Sequence, residues 1–407
     1  MTPPAAAPVV SERLVIGLVG AIQFVNVLDF MMVMPLGPDF AVALGIPTSH
    51  IGVVGGSYTA AAAIAGVVGS LFLDRFDRRL ALGVAMLGLV VGTALGGFAT
   101  GLGSLLLARI VAGAFGGPAT SLSLAVIADA VPPARRGKAM GAVMGAFSIA
   151  SVLGVPAGLE LSGRYGWRAP FFAVAGLGLL LAMGAIWLMP SMREHIRARP
   201  AAGAPKVQLL DSVTSISLVN TALIMIGLFA VVPNISAFVQ HNMGYPRERI
   251  GLLYLVGGVA SFVVMRIVGR LVDRYGATPL VVLGTALHAV ALVTAFVYRI
   301  PWLPVLAVFV VFMLSGSVRM VPMQTLASRV PRPEQRARFM SAQSAVQHAA
   351  SALGAVLASL VLVAAPDGKL LHMDQVALAA LVVACLVPFG AGLLERRVNA
   401  RQLPVAK

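Results

Sequence analysis

Apolar residues run through this chain in long blocks, separated by short breaks that carry charge, proline or glycine. A helix needs roughly 20 apolar residues to cross a ~30 Å hydrocarbon layer. Blocks of that kind fall at 14–36, 51–72, 80–99, 103–129, 139–162, 168–189, 213–240, 249–271, 279–298, 302–324, 338–363 and 374–394. The pattern predicts an all-α membrane protein with twelve transmembrane helices. The first block is too long for the core of a signal peptide and no small-residue cleavage site follows it, so it is expected to remain as a helix. The Pro/Ala-rich start, Met1 to Val10, reads as a short disordered tail.

Composition agrees with the pattern: 59% of residues are apolar and 11% charged, with a mean hydropathy of +0.93. A soluble protein carries about a quarter charged residues, so an ordinary water-soluble enzyme is excluded. The net charge of +15 would suggest nucleic acid in a soluble chain. Here the basic residues sort by loop instead. Twenty-one of the 30 Lys and Arg fall on one side of the predicted spans, six on the other, and Arg109, Arg266 and Arg319 lie within spans. Under the positive-inside rule both termini are cytoplasmic, and no nucleic-acid partner is needed. Cys385 is the single cysteine and the six histidines show no metal-ligand spacing, so no metal site is expected. No GxxxxGK[ST] string is present, which leaves an ion gradient as the energy source and calls for no cofactor.

The loop at 190–212 is the longest, basic, and holds Pro190, Pro200 and Pro205. It divides the chain into a tail (1–13), a six-helix bundle (14–189), a cytoplasmic linker (190–212), a second six-helix bundle (213–394) and a C-terminal tail (395–407). The bundles repeat one another. Gly45-Ile46-Pro47 to Ile51-Gly52 matches Gly244-Tyr245-Pro246 to Ile250-Gly251 at an offset of 199. Asp74-Arg75 matches Asp273-Arg274, and Pro132 matches Pro331, at the same offset; Ala150–Gly154 matches Ala350–Gly354 at 200. Two pseudo-symmetric six-helix bundles with a site between them near mid-membrane form a transporter architecture.

Ser70-Leu71-Phe72-Leu73-Asp74-Arg75-Phe76-Asp77-Arg78-Arg79 resembles the G-x-L-x-D-R-x-G-R-K signature of the major facilitator superfamily, with Ser70 and Asp77 at the usual glycines. Gly269 to Gly276 keeps both glycines and lacks the basic pair. Arg109-Ile110-Val111-Ala112-Gly113 resembles the R-x-x-Q-G motif of the twelve-span drug:proton antiporter branch, with Ala112 in place of Gln. Gly145, Gly154, Pro156 and Gly158 resemble its Gly/Pro-rich antiporter motif. Gly154 to Gly158 followed by Gly166-Trp167-Arg168 is most similar to the AraJ-like subgroup of sugar and drug exporters. The resemblance implies the major facilitator fold and export by proton exchange. It also implies that Asp74, Arg78 and Asp129 form a conformational lock at the cytoplasmic ends of spans 2 to 4; ordinary loop charges with local pairing are the alternative.

Asp29 is the most informative single residue. An intramembrane carboxylate costs roughly 2.5–3.5 kcal/mol on insertion scales. Gln23, Asn26 and Asp29 are spaced by three and form one polar stripe facing the interior, with Phe30 and Met31 beside it as adaptable cavity contacts or as packing. Counted from the outer ends of spans 1 and 4, Asp29 and Arg109 lie at a similar depth, roughly 10 Å down at 1.5 Å per residue. Burial favours the neutral carboxyl and a neighbouring guanidinium favours the carboxylate. A cycle that altered either would load and release a proton; a permanent structural ion pair is the alternative. Arg266 and Arg319 are placed at one depth in the second half, with Asp273 the nearest carboxylate. They would attract an anion or gate the cavity, or else pair with Asp273 or snorkel to the surface. Glu160 and Arg164 read as a surface pair, and His288 and His348 as sources of cavity polarity. Glycines at 88, 92 and 96, at 113 and 117, and at 137, 141 and 145 predict close helix approach.

The expectation is therefore a secondary active transporter of the bacterial inner membrane, acting as a monomer in the lipid bilayer. It would export a small amphipathic organic substrate, drug-like in character, in exchange for protons by alternating access. Sugar or metabolite efflux is the alternative, and a non-transporting receptor or scaffold a remote one. No nucleophile–base or metal constellation suggests an enzyme.

Overall fold

The computed structural model describes residues 12–193, 211–300, 302–331 and 336–402; the expected N-terminal tail, most of the linker and the last residues lie outside them. The first half contains α1 (Glu12–Met32), α2 (Gly37–Leu44), α3 (Ile51–Phe72), α4 (Arg78–Gly97), α5 (Leu102–Ala130), α6 (Pro133–Met144), α7 (Ala146–Ile149), α8 (Val155–Tyr165) and α9 (Ala169–Leu188). The second contains α10 (Ser212–Ala237), α11 (Ile250–Tyr275), α12 (Thr278–Leu292), α13 (Val305–Ser328), α14 (Arg336–Val361) and α15 (Met373–Gln402). Eleven helices among the described residues are long and apolar enough to cross a membrane. The twelfth crossing runs from Pro133 to Tyr165 as consecutive pieces, α6 to α8, with a π-helical turn at Ala150–Gly154.

Local chemistry explains the joints. Asp77 caps α4 by accepting from the Arg79 N–H at 3.0 Å, and Asp211 caps α10 through the Thr214 N–H at 2.8 Å. The first predicted span ends early: α1 stops at Met32, and α2 begins a turn later with Pro38 in its first turn. Gly45 and Gly244, matched in the repeat, both adopt left-handed φ, 64° and 66°. In each copy a proline, Pro47 or Pro246, then precedes a single 3₁₀ turn. The repeat diverges at 150–154. Pro156 follows the π turn, has no N–H, and crowds the carbonyl four residues back; its counterpart in the regular α14 is Val356. A two-stranded hairpin, β1 (Val363–Ala364) with β2 (Leu370–Leu371), joins α14 to α15 and is not visible in the hydropathy pattern.

Glycines set the helix spacing. A Cβ at Gly113 would lie 2.1 Å from the Tyr58 carbonyl oxygen, and one at Gly92 2.3 Å from the Ala112 nitrogen, so α5 lies against the backbones of α3 and α4. Gly154 faces Leu28 of α1, and its repeat partner Gly354 faces Ile226 of α10. The third predicted glycine series is different: nothing approaches Gly141 within 4 Å. The halves meet where α3 packs along α14 and where α8 and the π turn pack on α11.

Those contacts favour one end of the molecule. We call the end with Arg78, Arg135 and Arg401 the basic end, and the other the distal end. Among the described residues, the side-chain hydrogen bonds between halves all lie at the distal end. Arg247 donates to both Asp39 oxygens, Thr48 to the Gly368 carbonyl at 3.2 Å, and Ser236 to the Pro35 carbonyl at 3.1 Å. Ser162 adds a donor to Asp39 at 2.9 Å. Trp167 is buried at this end against Phe40 and Phe171, whereas Trp187 and Trp302 are exposed, as interfacial rings prefer.

Two outcomes follow from this packing. Gly113→Val should push α3 from α5 and destabilise the protein by about 1–3 kcal/mol, as overpacking does, lowering the melting temperature in detergent. Gly103→Ala, where a Cβ meets nothing within 4 Å, should leave it unchanged. Asp39→Asn should weaken the distal tie, and the distance distribution between spin labels at Val42 and Lys369 should then shift outward and broaden.

Candidate functional site

The buried polar stripe of α1 faces α3, α4 and α5. Gln23, Asn26 and Asp29 are 6%, 3% and 0% exposed, so the spacing of three does carry all three inward. Arg109 of α5, 1% exposed, donates from Nη1 to both Asp29 oxygens, at 3.1 and 3.0 Å. Thr93 of α4 lies 2.7 Å from Asp29 Oδ1 and 2.8 Å from the Leu89 carbonyl, its alternative acceptor. The ion pair is sealed from solvent and held by three helices.

A second layer is built around Tyr58 of α3. Its ring lies under the Arg109 guanidinium, 4.6 Å from centroid to Cζ, a cation–π contact. Its hydroxyl donates to Asn26 Oδ1 at 3.0 Å. The Asn26 amide donates in turn to the Gly116 carbonyl at 2.9 Å and to Thr120 Oγ1 at 2.8 Å. A Cβ at Gly116 would fall 2.1 Å from the Tyr58 hydroxyl, so this network requires glycine there. Gln23 is less fastened: its Oε1 has no partner among the described residues.

The network reaches the interface between halves through Phe30. Its ring lies 5.3 Å from Tyr58 and stacks at 5.8 Å on Phe229 of α10. Met31 is half-buried, and its sulfur accepts from the Ser151 hydroxyl at 3.6 Å. Toward the basic end, a small pocket between α3, α5 and α14 is lined by Ala62, Gly66, Gly117, Ser121, Ser341, Ser344 and His348. Ala62 stands one helical turn from Tyr58, so the pocket begins just below the ion pair.

The other sequence-derived clusters divide. Arg78 Nε meets Asp129 Oδ2 at 3.3 Å at the basic end; the side chain of Asp74 lies outside what the structure describes. Asp77, at a signature position where glycine is usual, accepts from Ser191 at 2.5 Å, from the Met192 N–H at 3.0 Å and from Arg193 at 3.3 Å. Burial alone would push its carboxyl up, but the hydrogen bonds from Ser191 and from the Met192 and Arg79 N–H groups, with the Arg79 charge, hold it below the usual carboxylate range. Of the antiporter-motif residues, Gly145 ends α6, Gly154 closes the π turn against Leu28, Pro156 opens α8, and Gly158 has room. Glu160 and Arg164 form an exposed pair at 2.6 Å.

Arg266, Arg319 and Asp273 do not assemble. Arg266 is exposed over the ring of Phe262, Asp273 is exposed, and Arg319 is 1% exposed inside the second half. The single-depth expectation placed both arginines by counting residues along their helices; helix rotation then turned one outward and one inward. Sequence reasoning missed Thr93, Tyr58, Phe229 and the Asp39–Arg247 tie. Each is an ordinary residue in an apolar block or loop, and only the glycine series, such as Gly92 and Gly113, hinted that another helix comes close. Among the described residues, no group of His, Cys, Asp and Glu could hold a metal ion.

Comparison with known proteins places this geometry. Residues 19–355 match the model of the Major Facilitator Superfamily. The multidrug resistance protein MdtH of Salmonella paratyphi B is 30% identical over 148 residues, a stretch covering 36% of this chain and 36% of that relative. Two solved structures share the fold over nearly the whole chain. A bacterial homologue of the human lysosomal transporter Spinster, in an inward-facing and occupied conformation, has a TM-score of 0.75 at 16% identity and covers 99% of this chain and 100% of its own. A D-xylose-proton symporter has a TM-score of 0.73 at 18% identity, covering 94% and 96%. The twelve-helix architecture and the extent of the family match lead to one conclusion: the chain belongs to the major facilitator superfamily.

Proposed function

We propose that this protein exports small amphipathic organic compounds in exchange for protons, with Asp29 as the proton-carrying group and Arg109 as its modulator. The observation that carries this reading is the sealed Asp29–Arg109 pair, which is linked through Tyr58 and Phe30 to Phe229 in the other half. Breaking a buried pair by neutralising one partner costs about 3–5 kcal/mol. Protonating Asp29 would remove the charge that holds Arg109 and leave the guanidinium to the Tyr58 ring. That change loosens α1 from α5 at the point where the network touches the opposite half. Rocking of the halves would then couple proton uptake to reorientation, as alternating access requires.

Orientation follows from charge: the basic end is the cytoplasmic one. The distal tie then closes the outer face, and the Arg78–Asp129 pair belongs to a lock at the cytoplasmic face. The pocket below the ion pair is where a substrate would enter from the cytoplasm, with Phe30 and Met31 as apolar contacts. The partial likeness to MdtH and the antiporter-motif residues favour a drug-like substrate and the AraJ-like branch. Sugar or metabolite efflux is the second reading; the hydroxyl and imidazole lining of Ser121, Ser341, Ser344 and His348 favours it.

The test uses inverted membrane vesicles with a preset pH gradient and a pH-sensitive dye, challenged with lipophilic cations, neutral antibiotics, sugars and nucleosides. One compound class should evoke proton movement in the wild type. Asp29→Asn should abolish that movement while lowering the melting temperature, and Asp29→Glu should restore part of it. A response that survives Asp29→Asn removes Asp29 from the proton role. A response to sugars alone selects the second reading.

A further inference from the structure

The second half buries a guanidinium that no carboxylate among the described residues neutralises. Arg319 of α13 is 1% exposed, and its Nε and Nη1 have no partner among the described residues. It is wedged against α12, where a Cβ at Gly284 would lie 2.7 Å from Arg319 Cγ. The described carboxylates of this half are all accounted for elsewhere. Asp211 pairs with Arg401, Asp367 with Lys369, and Glu395 caps α12 through the Ala277 and Thr278 N–H groups. Glu248, Asp273 and Asp374 are exposed. Arginine stays charged in proteins, and an isolated buried charge is strongly unfavourable. A guanidinium in this position calls for an anion.

Other buried polar groups without partners lie on α12, the helix it packs against. Thr285, next to Gly284, is 6% exposed with no partner for its Oγ1. His288, one turn further along α12, is 1% exposed; its Nδ1 lies 2.9 Å from Ser315 Oγ, and its Nε2 is unpartnered. Ser315 is one turn from Arg319 on the same helix. The first half offers a measure of what is missing. There α1, α4 and α5 supply Asp29, Thr93 and Arg109. At the repeat offset of 199 the corresponding positions of α10, α12 and α13 hold Leu228, Leu292 and Val308, so Arg319 is not a copy of Arg109 and inherits no partner carboxylate.

The geometry points to a receptor for an external anionic group at Arg319, with Thr285 as a further donor. A guanidinium fork suits a carboxylate; the Ser315 hydroxyl donates to the Phe312 carbonyl at 2.6 Å, so His288 Nδ1 donates to Ser315 and its Nε2 adds no donor. The anion is either a carboxylate of a transported compound or a small inorganic ion. The site goes beyond the proposed proton exchange and does not depend on Asp29.

The test uses the purified full-length protein in nanodiscs in a zwitterionic sulfonate buffer with no added carboxylate or halide, titrated with sodium benzoate, sodium chloride or neutral benzamide while thermal unfolding is followed. A ligand that binds only the folded state raises the melting temperature in a saturable way. Benzoate or chloride should do so, benzamide should not, and Arg319→Lys should weaken the response about tenfold. Benzoate binding that chloride displaces only weakly marks a carboxylate site, and the reverse marks an inorganic-anion site. Arg319→Gln should abolish the response. Without added anion it should melt no lower than the wild type, because it removes an uncompensated charge; Arg109→Gln should melt lower, because it strands Asp29. Asp29→Asn should keep the anion response, which separates this outcome from failure of proton exchange. If Arg319→Gln does not fold, Thr285→Val should weaken anion binding at least threefold. No saturable response in the wild type, or an unchanged one in Arg319→Gln or Thr285→Val, overturns the proposal.

Discussion

A fully buried guanidinium persists only where its charge is compensated, and much of the first half is arranged to meet that demand at Arg109. Asp29 must come from α1, and Thr93 from α4 must hold the carboxylate in place. Tyr58 must lie flat beneath the guanidinium, which brings α3 within backbone distance of α5. Gly113 and Gly116 are there because no side chain fits between those helices. The polar chain through Asn26 to Thr120 and the Gly116 carbonyl then leaves Tyr58 a single position. Packing and electrostatics here are the same constraint seen from two sides.

The repeat makes the contrast between halves informative. Backbone features duplicate: the left-handed glycines at 45 and 244, the prolines at 47 and 246, and the close contacts of Gly154 with α1 and Gly354 with α10. Charge does not. The first half buries a matched pair, and the second buries Arg319 with no carboxylate partner among the described residues. A symmetric scaffold thus carries an asymmetric electrostatic interior. The same asymmetry reaches the backbone at Pro156, which turns one copy of a repeated segment into a π turn and leaves the other a plain helix.

Much of this was legible in the residues because the bilayer permits so few solutions. An apolar block of sufficient length must be a helix when no water is present to satisfy its backbone, so span number and approximate limits followed directly. A polar stripe at spacing three in such a block must face inward, and Gln23, Asn26 and Asp29 do. The pairing of Asp29 with Arg109 was also within reach, since two opposite charges at similar depth in neighbouring spans have few other options. Arg266 and Arg319 show the limit of that reasoning. Both are arginines in apolar blocks at a similar distance along their helices, yet one lies on the surface over Phe262 and the other is enclosed beside Gly284.

The sequence by itself determined the twelve-helix class, the two-fold repeat and the inward stripe of α1, because these depend on local periodicity and on the cost of exposing polar groups to lipid. Only the tertiary structure decided which side chains complete the site. Tyr58, Thr93 and Phe229 join it through helix rotation and approach, and the tie between Asp39 and Arg247 joins α2 to a 3₁₀ turn 208 positions away. Those choices depend on distances of a few tenths of an ångström between backbones, which no pattern along one chain records.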